Sequence, residues 1–187
     1  LRAVADLSQA TRALGVSLGA GALCRILWES PERFDRVVFF LPAVLDEPRP
    51  AAGRDRLAEL LDAIAEGDAG AVAEAVSLEL PPAVRDTPPG WAFLRQRVDQ
   101  LRRDGLAPAL STLPEQVAVR DSSAFGAVTA PALVIGCQGD DLHPAAVAER
   151  LAASLPDATL HIYDRPGVLW NNRVEVRDRI AGFLNDA

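Results

Sequence analysis

A parallel β-sheet with helices on both faces, an α/β architecture, is what the sequence predicts, and two observations carry that expectation. Val37-Val38-Phe39-Phe40-Leu41 and Leu133-Val134-Ile135 are unbroken apolar runs rather than alternations, the pattern of strands covered on both sides. Stretches of helical spacing separate and follow them, as parallel strands require of their crossovers. With 187 residues, the chain is long enough for one domain with its own hydrophobic core.

Taken in order, Arg12 to Val16 reads as the first strand, and after a Gly-rich turn Leu23, Ile26 and Leu27 mark a helix. Arg36 to Leu41 is the second strand. From about Asp46 to Val128 no good strand is found, but two helical stripes are: Leu57, Leu60, Leu61 and Ile64, then Trp91, Leu94, Val98 and Leu101. Prolines at 48, 50, 81, 82, 88 and 89 punctuate this stretch by pushing each preceding residue out of helical geometry. Such stripes need something to cover, so the stretch is expected to be a helical insertion. Ala132 to Gly136 is the third strand. Pro144 suits a first helical turn, and Val147, Leu151 and Leu155 recur behind it every four residues. Thr159 to Tyr163 is the fourth strand. Val176, Ile180, Phe183 and Leu184 follow the i, i+4, i+7, i+8 rule of a helix laid on a sheet.

Composition removes several functions. The chain contains no Lys, so its 19 basic residues are all Arg, and with 26 Asp and Glu the net charge is -7. A P-loop and a Schiff-base enzyme both need a lysine. An acidic chain with scattered Arg lacks the basic stripe that nucleic acid demands, and no apolar run reaches the length of a membrane span. Neither partner is expected, and no metal or cofactor. Cys24 and Cys137 each sit in apolar surroundings and are expected to be buried free thiols in a cytoplasmic protein. The chain has no Met and begins at Leu1, which suggests an internal start.

The strongest local signal is Gly15-Val16-Ser17-Leu18-Gly19 followed by Ala20-Gly21. Placed between a strand and a helix, this pattern is a nucleophile elbow. A serine at the tip of so sharp a turn takes strained backbone angles, and small residues on either side let strand and helix pass closely. Its hydroxyl then stands at the amino end of a helix, whose free N–H groups favour developing negative charge. Leu18 N–H would be one oxyanion donor. The bland reading is that Gly15 and Gly19 allow a close crossing and Ser17 caps the helix.

Together with Ser30-Pro31-Glu32-Arg33-Phe34-Asp35-Arg36-Val37-Val38 leading to Leu41-Pro42-Ala43, the elbow resembles the carboxyl-terminal part of an α/β-hydrolase. Ala130-Pro131-Ala132-Leu133-Val134-Ile135 and Gly139-Asp140-Asp141-Leu142-His143-Pro144 are similar to the strand and turn that carry that family's catalytic acid. The resemblance implies a hydrolase core over 1–45 and 129–187, a helical lid over 46–128, and amino-terminal strands that this chain lacks. The first strand would then be an exposed edge, a hazard that another polypeptide or a preceding segment would have to cover. The family's second oxyanion donor comes from an early loop with no counterpart after Leu1.

By the same resemblance Asp140 is the acid, with turn chemistry left to Asp141. The family's histidine should follow the fourth strand, but Asp164 to Arg173 contains none. Of the two histidines present, His161 lies within the strand pattern and reads as structural. His143, three residues past Asp140, is either a relocated base or a loop residue at a helix start. Trp91 and Phe93 are candidate pocket walls, with helix packing as the alternative. Two functions follow. One is a serine hydrolase acting on an ester, lactone or thioester of a small apolar molecule. The other is a degenerate hydrolase fold serving as a small-molecule binder, a non-covalent cyclase or one subunit of a split assembly.

Overall fold

A computed structural model describes residues 2–103, 108 and 110–185. After a short helix α1 (Arg2–Leu7), strands β1 (Arg12–Val16), β2 (Arg36–Phe40), β3 (Ala132–Cys137) and β4 (Ala158–Tyr163) form one sheet in the order β1-β2-β3-β4. Every neighbouring pair is parallel. All strands therefore end at the same edge of the sheet, and the loops that follow β1 and β3 meet there.

The unbroken apolar runs are explained by the two faces of the inner strands. Val37, Phe39 and Val134 pack with Leu23 and Leu27 of α2 (Leu18–Glu29). Ala148 and Leu151 of α7 (Ala145–Ser154) join them on that face. Val38, Phe40, Leu133 and Ile135 point the other way, onto Val176 of the last helix, α9 (Arg173–Asn185). Ile180, Phe183 and Leu184 line the same face of that helix, as their spacing predicts. The outer strands differ. Leu14 and Val16 of β1 are 44% and 46% exposed, so β1 is an edge, and β4 is the other. Strand β2 stops one residue earlier than expected because Leu41 takes a φ of 50°, which turns the chain away from the sheet. Cys24 and Cys137 are buried and unpaired.

Between β2 and β3 the described chain is helical: α3 (Ala51–Glu66), α4 (Ala69–Ser77), the single turn α5 (Pro82–Arg85) and α6 (Pro88–Leu101), then 3-10 turns at Leu113–Glu115 and Ser122–Ala127. Local chemistry sets these boundaries. Gly67, at φ 73°, ends α3, and the Asp68 carboxylate accepts the N–H groups of Gly70 and Ala71 to start α4. Thr87 caps α6, with prolines in its first turn. Leu61, Ile64, Val72, Val76, Val98 and Leu101 form a separate small core. Trp91 is not part of it. Gly90, rather than Trp91, is the residue pressed on α5, where a β-carbon would lie 2.1 Å from the Val84 carbonyl oxygen, and Trp91 is left 55% exposed. Phe93 meets Trp170 of α8 (Val168–Asn171) edge-on at 5.6 Å, which ties the helical segment to the chain after β4. Among the described residues no helix is long and apolar enough to cross a membrane.

Candidate active site

At the end of β1, Ser17 adopts φ 50° and ψ -112°, a backbone conformation that costs an L-residue about 1–3 kcal/mol and is held only where its surroundings enforce it. The turn is held from both sides. Ser17 N–H donates to the Phe40 carbonyl at 3.0 Å, and the Ser17 carbonyl accepts from Ala20 and Gly21 N–H. Only one of the two flanking glycines is sterically required. A β-carbon at Gly15 would lie 2.5 Å from the Gly19 carbonyl oxygen and 2.7 Å from the Ala20 α-carbon, whereas one at Gly19 would meet nothing within 4 Å. Ser17 does not act as a side-chain cap of α2. Its hydroxyl is turned elsewhere. Leu18 is the first residue of α2, so its N–H has no acceptor within the helix.

The turn after β3 supplies the partners. His143 Nε2 lies 2.8 Å from Ser17 Oγ, and His143 Nδ1 lies 3.0 Å from Asp140 Oδ2. The other carboxylate oxygen, Oδ1, accepts the backbone N–H groups of Leu142 at 3.0 Å and His143 at 3.1 Å. Asp140 therefore closes the turn and holds the imidazole ring at once. The turn chemistry expected of Asp141 belongs to Asp140 instead, because a side chain at the first position of the turn reaches N–H groups two and three residues on. Asp141 is exposed.

The electrostatics agree with this arrangement. Burial pushes the Asp140 carboxyl upward, but the hydrogen bonds and charge of His143, with the two backbone N–H groups, outweigh it and hold the group below the ordinary carboxylate range. An ionised carboxylate only accepts hydrogen bonds, so the proton between the two residues sits on Nδ1. Nε2 is the ring nitrogen that faces the Ser17 hydroxyl. Glu79, from the helical segment, feels the charges of His143 and Asp140. Burial holds its carboxyl above the ordinary range, against the opposing pull of Arg97, His143 and Arg56.

Ser17, Asp140 and His143 are thus brought together from the ends of two different strands. Among the described residues, His161 makes no hydrogen bond to Ser17, Asp140 or His143. Its ring packs edge-on against Tyr163 at 4.5 Å. The loop after β4 is occupied by packing: a β-carbon at Gly167, which has φ 82°, would lie 2.5 Å from Pro81 Cγ. Of the two proposed pocket walls, Trp91 is largely exposed and Phe93 is engaged with Trp170. Sequence reasoning missed Glu79 and Arg49. Arg49 is 9% exposed and donates from Nη1 to the Leu142 carbonyl at 3.1 Å. Nothing in a lone Arg between two prolines marks it as buried.

A parallel sheet of this order, with a strained serine between β1 and α2 and a carboxylate on the turn after β3, has counterparts among solved structures. No protein-family model matches the chain, and no curated protein matches it in sequence. An α/β hydrolase enzyme from a Medee basin deep-sea metagenome library superposes with a TM-score of 0.77 at 15% identity, over 100% of this chain and 70% of that one. A serine hydrolase from the polyaromatic-hydrocarbon-degrading bacterium Cycloclasticus zankles gives 0.73 at 19% identity, over 98% and 69%. A carboxylesterase from Bacillus subtilis gives 0.75 at 19% identity, over 98% and 64%. The chain has the α/β-hydrolase fold. Its similarity to those hydrolases runs through the helical segment as well as the sheet, and it spans about two thirds of their length.

Proposed function

We propose that the chain carries a serine-hydrolase site for an ester, lactone or thioester of a small apolar molecule, with Ser17 as nucleophile, His143 as base and Asp140 as the acid that orients it. The observation that carries this reading is the continuous hydrogen-bonded path from Asp140 Oδ2 through both ring nitrogens of His143 to Ser17 Oγ.

In the first step Ser17 Oγ attacks the substrate carbonyl carbon while its proton passes to His143 Nε2. The imidazolium that forms is stabilised by the Asp140 carboxylate, which stays ionised. Charge builds on the former carbonyl oxygen, for which the Leu18 N–H and the amino end of α2 are the donors at hand. The C–O or C–S bond then breaks, and the proton on Nε2 goes to the departing alcohol or thiol. Water repeats the sequence on the acyl-serine: Nε2 takes its proton, the hydroxide adds to the carbonyl, and Ser17 leaves as the alcohol. In this reading the base occupies the acid's own turn, an arrangement that frees the loop after β4 for packing.

The supporting experiment is labelling with a fluorophosphonate probe followed by intact mass. The reading expects one adduct, absent from Ser17→Ala. An unlabelled wild-type chain, or a Ser17→Ala variant labelled equally well, overturns it in favour of a non-covalent binder or cyclase.

A further inference from the structure

Acid and base share one short turn, so whatever fixes that turn fixes both. Inside it, Asp140 Oδ1 gathers the N–H groups of Leu142 and His143. On its outer side the Leu142 carbonyl accepts from Arg49 Nη1 at 3.1 Å. One turn further along, the start of α3 presses on the same backbone: a β-carbon at Gly53 would lie 2.3 Å from the Asp141 carbonyl oxygen. The loop leading into α3 is itself tied down, since Arg150 of α7 pairs with Asp46 and Glu47.

Arg49 is an expensive residue to keep in this place. It is 9% exposed, its Nε is buried with no hydrogen-bond partner, and no carboxylate of the described residues pairs with it within 4 Å. Burial alone lowers its affinity for the proton. An unpaired guanidinium removed from water is unfavourable, and an apolar side chain of similar volume would fill the space without that penalty. What the guanidinium offers that an apolar group cannot is a donor that reaches the Leu142 carbonyl.

We propose that Arg49 is a positioning residue of the site: by its hydrogen bond to Leu142 O it holds the Asp140–His143 turn at the distance and angle at which the imidazole meets Ser17. This rests on the serine-hydrolase reading above and adds a residue from outside the triad. Arg49 acts through the turn and touches no reacting atom. Groups that support a site's geometry set its precision, and a displacement of about 1 Å can cost on the order of a hundred-fold in rate.

The test compares wild type, Arg49→Met and Arg49→Gln, the last too short to reach Leu142. Two readouts are taken: the rate of fluorophosphonate labelling, with kcat and KM for a short-chain p-nitrophenyl ester, and the downfield proton resonance of the His143 Nδ1–H, assigned by its loss in His143→Gln. Expected in both variants are labelling and kcat lowered by about a hundred-fold, little change in KM, and a broadened or missing Nδ1–H signal. Should Arg49→Met not fold, Arg49→Gln alone decides. Wild-type labelling together with an unchanged Nδ1–H signal in a folded variant overturns the proposal. A wild-type chain that shows the Nδ1–H signal but takes no label overturns the hydrolase reading, and the resonance in the variants still reports whether Arg49 holds the turn.

Discussion

Asp140 holds His143 twice, accepting its backbone N–H on Oδ1 at 3.1 Å and facing its ring Nδ1 with Oδ2 at 3.0 Å. One carboxylate thus fixes both where the residue sits and how its ring is turned. Asp140 and His143 are three positions apart in sequence, so little chain entropy is lost in keeping them in register.

Asp140→Asn should therefore do two kinds of damage. An amide can donate to Nδ1 and turn the ring to the wrong tautomer, for which a loss in kcat of about 10⁴-fold is expected. The folded-state pKa of Asp140 is depressed. Its contribution to stability is present above the ordinary carboxylate pKa and is lost as pH falls through the lower folded value. Denaturation midpoints measured from pH 7 down to pH 2 should fall less steeply for Asp140→Asn than for wild type. Equal slopes would mean that the carboxylate is not held as described.

The two glycines of the elbow should part company. Gly15→Ala puts a β-carbon 2.5 Å from the Gly19 carbonyl oxygen and against the Ala20 backbone, an overpacking expected to cost about 1–3 kcal/mol. Gly19→Ala faces open space in the first turn of α2 and should be neutral or stabilise by up to about 1 kcal/mol. Urea denaturation of both variants decides it, and equal destabilisation would contradict the crossing geometry.

Glu79 gives a prediction of opposite sign to Asp140. Burial raises its folded-state pKa, so the cost of ionising it is absent below the ordinary carboxylate pKa, grows as pH rises, and is complete above the folded value. Glu79→Gln should raise Tm at pH 8 and leave it unchanged at pH 3. Its ion pair with Arg97, 3.9 Å long and partly exposed, is worth too little to reverse this. A pH-independent difference in Tm would show that burial is not the cause.

How far the sequence could be read depended on whether a signal was local. The inner strands were legible because Val37 to Phe40 alternate between two buried faces, which leaves an unbroken apolar run. Ser17 was legible because its turn needs a small residue at 15, although position 19 carries the motif without the steric need. The helical stripe containing Trp91 was legible only in part, since the packing of Gly90 against Val84 is invisible in periodicity. His143 could be named but not chosen over a plain loop residue, because its 2.8 Å approach to Ser17 joins positions 126 residues apart. Arg49 gave no signal at all. Its burial depends on how α3 meets the acid turn, a long-range fact with no local pattern.

The most direct measurement is the second-order rate of fluorophosphonate labelling at Ser17 in wild type and in His143→Gln, both verified as folded. If His143 is the base, the wild type reacts at Ser17, and the variant, which keeps the turn but loses the imidazole, slows toward the roughly million-fold deficit known for serine enzymes stripped of their histidine. Equal rates in the two proteins would contradict the account.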